Sequence, residues 1–432
     1  MLPLINLPFV RLLQQQGGRV YTVGGTVRDE LLERPGKDVD LLVTGLPQAE
    51  LVRLLRQQGR VQLTGRAFGV IKFTPRRWDG PPIDIALPRT EVSTGVGHRE
   101  FDVSFDHTLP IETDLGRRDF TINAVAMELA TGHLIDPFGG RRDLADKLLR
   151  QVSDRAFPED PLRMLRGIQL AARFHLTVET ATYQAMATHA ASITTVAPER
   201  IAEELRKLFQ ADAPADGFRL MRDTGLLAHI LPEIDASMWD GVFTRTLNHL
   251  DAIQQREELA YRGHLDLLLA ALFQSSPSPE SARDRLETLR MTMIGADLDR
   301  ITALIRHSSF EIPALETDDS ALRHFAHQIG PETALMVFDL RLADRLANQP
   351  GEPTHDVQSL RQRLQREIDR QVPFSVKGLA VDGHDLQQLG ISPSPHMGQI
   401  LQRLLHRVLD DPSQNTRDAL LMLVQQEMDT ES

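Results

Sequence analysis

The pattern of apolar and polar positions changes about a third of the way along the chain. Up to about residue 90, short apolar blocks alternate with turn residues, a strand-and-turn rhythm with helices between. It predicts a helix over 5–17, a strand over Arg19–Val23 and a helix over Gln48–Gln58, with strands over 61–63, 70–74 and 83–87. Thr64-Gly65 and the 75–82 stretch supply the turns between those strands. From Pro88 to Gly116 the chain is polar and weakly periodic, which reads as a long loop. An apolar strand is expected at 124–129, with a turn over 136–140.

After Arg141 the spacing becomes helical and no strand is expected. Helices are predicted over 161–174, 179–189, 198–210, 215–224, 242–257, 263–273, 279–291, 296–307, 318–328, 331–346, 355–370 and 396–428. The Gln-Pro-Gly-Glu-Pro run after Asn348 reads as a linker. The fold class is therefore α+β: a small mixed sheet with covering helices, followed by an all-α remainder.

Composition adds exclusions. The chain has 432 residues, 41% hydrophobic and 25% charged, which suits an ordinary soluble protein with several cores. It has no cysteine, so disulfides, thiolate metal sites and cysteine nucleophiles are ruled out. The apolar N-terminus is interrupted by Pro3, Pro8 and Arg11 and reads as neither signal peptide nor membrane span. A cytoplasmic location without membrane contact is expected. The net charge of −12 argues against a nucleic-acid partner unless a local basic groove offsets it.

The densest chemistry lies in YTVGGTVRDELLERPGKDVDLLVTG, residues 21–45. It reads as strand, glycine turn, short helix and second strand. Gly24 and Gly25 lead into a helix N-terminus whose backbone N–H groups suit an anion. Asp38 and Asp40 stand two apart, so on a strand both carboxylates share one face. Like charges that close favour a cation between them. Hard oxygen ligands and neighbouring phosphate oxygens suit Mg²⁺, so the stretch reads as a Mg-triphosphate cradle. Arg28, in the first helical turn, either grips the triphosphate or is an exposed arginine paired with Asp29 or Glu33. Arg117, Arg118 and Asp119 would bring cations to phosphates and a carboxylate to a metal; otherwise they form a solvated cluster.

A second chemical stretch is EDPLRMLR, residues 159–166. Glu159 or Asp160 can cap a helix that starts at Pro161. Asp160 and Arg163 are then neighbours on the helix surface, as a salt bridge or as a reader of bases. Carboxylate oxygens only accept and guanidinium only donates. Cytosine and adenine present an amine beside a ring-nitrogen acceptor; uracil and guanine present the reverse. One Asp–Arg pair would therefore admit C and A and reject U and G.

The motifs VGGTVRD…KDVD, RRDFTINA, IDPFGG, EDPLRMLR…AARF and PERIAEEL follow one another in this order. Together they resemble the bacterial-type tRNA nucleotidyltransferases, the CCA-adding enzymes, and the related bacterial poly(A) polymerases. The resemblance is dense over residues 20–210 and returns at GHDLQQLGISPSPHMG, residues 383–398. It implies a polymerase-β-like head over 1–140, a helical neck over 141–212, a helical body over 213–349 and a helical tail over 350–432. It implies Mg²⁺ on Asp38 and Asp40, and triphosphate contacts from Gly24, Gly25, Arg28, Arg118 and Asp119. It also implies base reading by Asp160 and Arg163, and nucleotide binding by Arg166. CTP, ATP and the acceptor arm and 3′ end of tRNA would be the partners. The activity implied is addition of the 3′-terminal CCA; an A-adding enzyme, a poly(A) polymerase and a non-catalytic RNA-binding protein are the alternatives.

The chain departs from the family pattern at two places. Gln169 stands where many relatives carry a further arginine, leaving one cation fewer. Some relatives carry a phosphohydrolase body with paired His-Asp ligands; here Gln274-Ser275 stands in that context, so a degenerate body without hydrolase activity is expected. His384-Asp385 is expected to be structural. The 89–116 segment is as long as in relatives that add the terminal A, and GRAFGVIKF after Thr64 resembles the CCA-adding pattern.

Overall fold

A computed structural model of the chain describes residues 2–34, 39–64, 70–93, 101–237, 240–309, 318–349 and 351–431. The chain forms two compact units. The first takes in residues 1–211 with 216–230, the second 212–215 with 231–432.

The first unit opens with α1 (Leu2–Ile5) and α2 (Pro8–Gln15). Proline suits a first helical turn and not a helix interior, so Pro8 divides the single helix expected over 5–17. The order is then β1 (Arg19–Val23), α3 (Gly25–Leu31), β2 (Asp40–Thr44), α4 (Gln48–Gln58), β3 (Gly59–Thr64), β4 (Val70–Pro75) and β5 (Ile83–Ala86). After β6 (Arg89–Ser93), β7 (Phe101–Phe105) and α5 (Ile111–Leu115) come β8 (Ala126–Glu128) and β9 (Leu134–Ile135). Seven strands make one mixed sheet in the order β3-β4-β5-β2-β1-β8-β9. β2 and β5 run parallel, and Asp40 pairs in register with Asp84.

Strand alternation sorts the sheet into two faces. Leu41, Val43, Ile71, Phe73, Ile83 and Ile85 point one way, into a core with Phe9, Val10 and Leu13 of α2 and Leu51, Leu54 and Leu55 of α4. Phe9 and Phe73 meet edge to face, ring centroids 4.9 Å apart. The opposite face carries Tyr21, Val23 and Leu42, packed with Ile111, Leu115, Ala124 and Ala126. Asp40, in phase with Leu42, belongs to this second face.

The long loop expected over 88–116 is corrected. β6 and β7 form an antiparallel hairpin and α5 follows it; residues 94–100 lie outside the described residues. The hairpin is a separate two-stranded sheet. β7 reads Phe-Asp-Val-Ser-Phe, a short apolar–polar alternation inside an otherwise polar segment, and its last residue, Phe105, packs against the core of the main sheet.

Helices take over from α6 (Gly140–Ala145). The expectation of no strand after Arg141 is also corrected, since β10 (Leu148–Leu149) and β11 (Thr177–Val178) pair in parallel. Two-residue strands are too short to show a period. They enclose α7 (Ala156–Glu159) and α8 (Leu162–Phe174), and α9 (Thr180–His189) and α10 (Pro198–Phe209) follow. α8 is buried along most of its length: Leu162, Leu165, Ile168 and Ala172 are all covered.

The second unit is helical in its described residues. Its main helices are α11 (Asp240–Gln255), α12 (Leu265–Phe273), α13 (Pro279–Thr288), α14 (Leu298–His307), α15 (Asp319–Ile329), α16 (Pro331–Asn348), α17 (His355–Asp369), α18 (Gly383–Gln388), α19 (Pro395–Asp410) and α20 (Arg417–Glu431). The single helix expected over 396–428 is split. Asp411 accepts from Ser413 N–H and Pro412 opens a 3₁₀ turn, so α19 stops before α20 begins. Asp385 accepts from Arg417 Nη2 at 2.7 Å and takes part in a capping box with Asp382, so the His384-Asp385 pair is built into a helix start. No helix among the described residues is long and apolar enough to cross a membrane.

Candidate active site

The glycine turn, α3 and β2 come together with α8 around a cleft of about 880 Å³ in the first unit. Gly24, Gly25, Arg28, Asp40, Arg118, Asp119, Arg163 and Arg166 line it. Asp38 lies outside the described residues, and so does 65–69 of the GRAFGVIKF segment.

Gly24 has φ +67°, a conformation that L side chains rarely hold. A Cβ there would collide with Arg118 Nη1, so the glycine also lets the arginine approach the turn. Arg28 is buried, not exposed. Its Nη1 donates to Asn123 Oδ1 at 2.8 Å, and Nε and Nη2 donate to Asp29 Oδ1 at 2.9 and 2.6 Å. Its guanidinium also sits 4.5 Å from the ring centre of Phe174, at the C-terminal end of α8. Asp40 N–H donates to Thr26 Oγ1 at 3.0 Å, which fixes the start of β2 against the glycine turn.

Asp119 ties the sheet to α8. It is buried, its Oδ1 accepts from Phe120 N–H at 2.8 Å and Asn123 Nδ2 at 3.0 Å, and its Oδ2 accepts from Arg166 Nη1 at 3.2 Å. Burial pushes its carboxyl upward, but the Arg166 charge, the two hydrogen bonds and Arg163 outweigh burial and hold it below the usual range. Arg166 is correspondingly raised. Burial opposes its charge, and the carboxylates of Asp119, Glu204 and Asp160 overcome that.

Of the two readings of Asp160 and Arg163, a salt bridge between their side chains is not the arrangement found. Asp160 Oδ2 accepts from Arg200 Nη2 at 2.9 Å and Oδ1 from Leu162 N–H at 3.2 Å. Arg163 instead lies 3.7 Å from Glu159 Oε2 and donates to Ala156 O at 3.3 Å. Each member is held by its own partner, and Asp160 is not among the cleft-lining residues.

Other contributors were not singled out in the sequence. Arg173, Arg206 and Lys207 also line the cleft. With Arg28, Arg117, Arg118, Arg163 and Arg166 they make eight cations against four carboxylates, Asp29, Asp40, Asp114 and Asp119. The chain's net negative charge therefore does not extend to this surface. Asp84, which is not among the cleft-lining residues, is the carboxylate beside Asp40 that the sequence reading left out. It is the register partner of Asp40, so both side chains leave the same face of the sheet. Its buried Oδ1 takes no hydrogen bond among the described residues, although Lys72 Nζ is 3.4 Å away. The polar Asp84 inside the apolar IDIA block was the available signal.

Comparison with known proteins agrees with this geometry. A family model described as "Poly A polymerase head domain" matches residues 20–150, the sheet and its glycine turn. A second, "Probable RNA and SrmB- binding site of polymerase A", matches 175–238, and a tRNA nucleotidyltransferase domain 2 model matches 304–424. The three occur in order and together take in roughly three quarters of the chain. Over these stretches the chain carries matches to poly(A) polymerase head and tRNA nucleotidyltransferase domains. Curated relatives include the Multifunctional CCA proteins of Xanthomonas campestris pv. campestris (strain B100), 40% identical over 223 residues, and of Stenotrophomonas maltophilia (strain K279a), 42% identical over 223 residues. Both matches take in 50% of this chain, and the chain spans 52%, about half, of the length of each relative. Among solved structures, the Bacillus stearothermophilus CCA-adding enzyme in complex with CTP superposes with a TM-score of 0.75 at 24% identity, over 98% of this chain and 97% of that one. The Thermotoga maritima CCA-adding enzyme complexed with tRNA superposes with a TM-score of 0.61 at 23% identity, over 98% and 95%. These likenesses establish the fold: an α+β chain with a polymerase head.

Nucleotidyltransferases with a head of this type depend on a divalent metal in general. The residues present fit one. Asp40 offers a hard carboxylate to the cleft, and Asp84 stands in register beside it on the adjacent strand, with Lys72 Nζ 3.4 Å from its Oδ1.

Proposed function

We propose that the protein is a CTP/ATP:tRNA nucleotidyltransferase that builds the 3′-terminal CCA of tRNA. In that reaction the 3′-hydroxyl of the RNA attacks the α-phosphate of CTP or ATP, and pyrophosphate leaves. The observation that carries the reading is the single cleft in which the glycine turn, Asp40 and α8 meet, with cations outnumbering carboxylates two to one. The names of the relatives support the same activity.

In this reading Gly24, Gly25, Arg28, Arg118 and Asp119 form the triphosphate end. Arg118 donates from Nη2 to Asp114 Oδ2 at 3.3 Å, and its buried Nε has no hydrogen-bond partner among the described residues. Arg28, braced by Asp29, Asn123 and Phe174, needs no reorganisation to present its charge. Arg166 holds Asp119 and completes the nucleotide site. Asp160 and Arg163 read C or A at the other end of α8, with Arg200 fixing the Asp160 carboxylate. Asp38 and Asp40 hold Mg²⁺, with Asp84 beside them. When bound, that ion neutralises phosphate charge and favours ionisation of the attacking hydroxyl. Positioning and charge neutralisation carry the rate, and no covalent enzyme intermediate is needed. The head would cover 1–140, the neck 141–212, and the body (213–349) and tail (350–432) would hold the acceptor arm of tRNA. A cytoplasmic location, where tRNA, CTP and ATP are found, belongs to the same reading.

The test uses tRNAs ending at the discriminator base, at -C and at -CC, each with labelled CTP or ATP alone. Incorporation of C on the first two and of A on the third is expected. A-addition to the -CC substrate with no incorporation of C on the other two would mark an A-adding enzyme. Untemplated A runs on any RNA would mark a poly(A) polymerase, the reading that the head-domain match favours second. No incorporation at all would leave an RNA-binding protein.

A further inference from the structure

Gln169 is unusual among the cleft residues. It is only 3% exposed, it lines the cleft, and its Oε1 has no hydrogen-bond partner among the described residues. An unmet acceptor at such depth is costly unless something donates to it. The cations beside it on α8 are Arg166 and Arg173, three and four residues away. Neither leaves that oxygen satisfied; Arg166 is spent on Asp119 and Glu204.

The position along α8 says which part of a nucleotide reaches it. The C-terminal end of the helix lies against Arg28 through Phe174, beside the glycine turn that suits phosphates. The N-terminal end carries Arg163 and follows Asp160, the base-reading end. At about 1.5 Å per residue, position 169 is about 9 Å from 163 and about 6 Å from 173. Between base and triphosphate lies the sugar. Phosphate oxygens carry no proton to give and would not satisfy an amide oxygen, whereas ribose hydroxyls donate.

We infer that Gln169 is a sugar-recognition residue whose Oε1 accepts a hydrogen bond from a ribose hydroxyl of the bound nucleotide. The inference rests on the nucleotide reading of the cleft. It gives the departure from arginine a positive role: a guanidinium at 169 adds a cation but cannot accept from a hydroxyl.

Equilibrium binding of CTP, 2′-deoxyCTP and 3′-deoxyCTP to the full chain, without tRNA, tests this. The wild-type protein should favour CTP over at least one deoxy analogue by about tenfold, the scale of one hydrogen bond. Gln169→Leu should erase that preference by weakening CTP alone. Gln169→Glu, which keeps an acceptor, should retain it. Should the leucine variant not fold, as read by its thermal midpoint, Gln169→Arg supplies the same loss of acceptor and should show the same loss of preference. Equal weakening of CTP and both analogues by these variants overturns the inference, as does a wild-type protein with no ribose preference. A wild-type protein that shows the preference but adds nothing to any tRNA would refute the proposed activity and leave the sugar contact standing.

Discussion

Asp119 and Asp339 are buried aspartates, one in each compact unit, and their carboxyls are pushed in opposite directions. Both are desolvated. Asp119 meets the Arg166 charge, Asn123, Phe120 N–H and the more distant Arg163, and its carboxyl falls below the ordinary range. Asp339 accepts from Tyr261 N–H at 2.9 Å and has Arg361 Nε 2.8 Å from Oδ1, yet burial wins and its carboxyl rises. Its ion pair is close without being a well-aligned hydrogen bond, since neither Oδ1 nor Nε of that pair has one. Burial alone does not set the direction; the count and aim of the donors do.

The surroundings differ in the same way. Near Asp119 the polar groups line a cleft with an excess of cations. In the second unit they are absorbed internally. His249 is buried, its Nε2 lies 2.9 Å from Leu340 O, and its ring is also hydrogen-bonded to Gln274, the residue standing where a His-Asp pair would begin. Burial lowers the His249 ring below its ordinary range, against the raising effects of Asp344 and Leu340 O. One region presents charge to a ligand; the other uses polarity to join helices.

The largest expected effect tests that contrast directly. Asp40→Ala should lower nucleotide incorporation at least about a thousandfold, the scale of losing a preorganised charge at a reacting phosphate. His249→Asn should leave incorporation within about twofold, since no part of the reaction is assigned to it. Retained incorporation in the Asp40 variant would break the comparison at its centre.

Stability gives a finer test. Arg166→Met leaves Asp119 buried without its main charge partner and should cost about 3–5 kcal/mol in urea unfolding. Arg361→Met should cost less, about 1–2 kcal/mol, because Asp339 is already biased toward its neutral form. Equal losses would mean that the two carboxylates are held alike.

The smallest effect is in the pH dependence. The Asp119 carboxyl is held below its unfolded value of about 3.9, so its stabilisation is complete above that pH and is lost as pH falls through the native value. The Asp339 carboxyl is raised, so the native state takes up a proton first and gains on acidification. The stability difference, variant minus wild type, should therefore rise on acidification for Asp119→Asn and fall for Asp339→Asn. Thermal unfolding between pH 3 and pH 7 reads both slopes; the same sign for both would remove the distinction.

Much of the first unit was legible in the sequence because its signals are local. The strand Arg19–Val23 and the helix Gln48–Gln58 occur with the boundaries predicted. An apolar block and an apolar 3–4 spacing carry their own period. The hairpin of β6 and β7 was read as loop because the short alternation of β7 sits inside an otherwise polar segment. The strands Leu148–Leu149 and Thr177–Val178 were invisible because each is defined by the other.

The candidate site divides along the same line. Gly24, Gly25, Arg28 and Asp40 fall within one short stretch, so turn chemistry and strand alternation were enough to group them as candidates, and all four line the cleft. What sequence spacing did not contain is every partnership across the fold: Arg166 on Asp119, Arg200 on Asp160, Arg28 against Phe174, Asp84 beside Asp40. Asp160 and Arg163 looked like a pair because helical neighbours three apart can meet, and tertiary contacts gave each a different partner. By itself the sequence determined which chemical groups exist and which local turns present them, because backbone sterics and periodicity act over a few residues. Only the tertiary structure decided which charges are desolvated together, which are neutralised, and which acceptor, Gln169 Oε1, is left unpaired in the cleft.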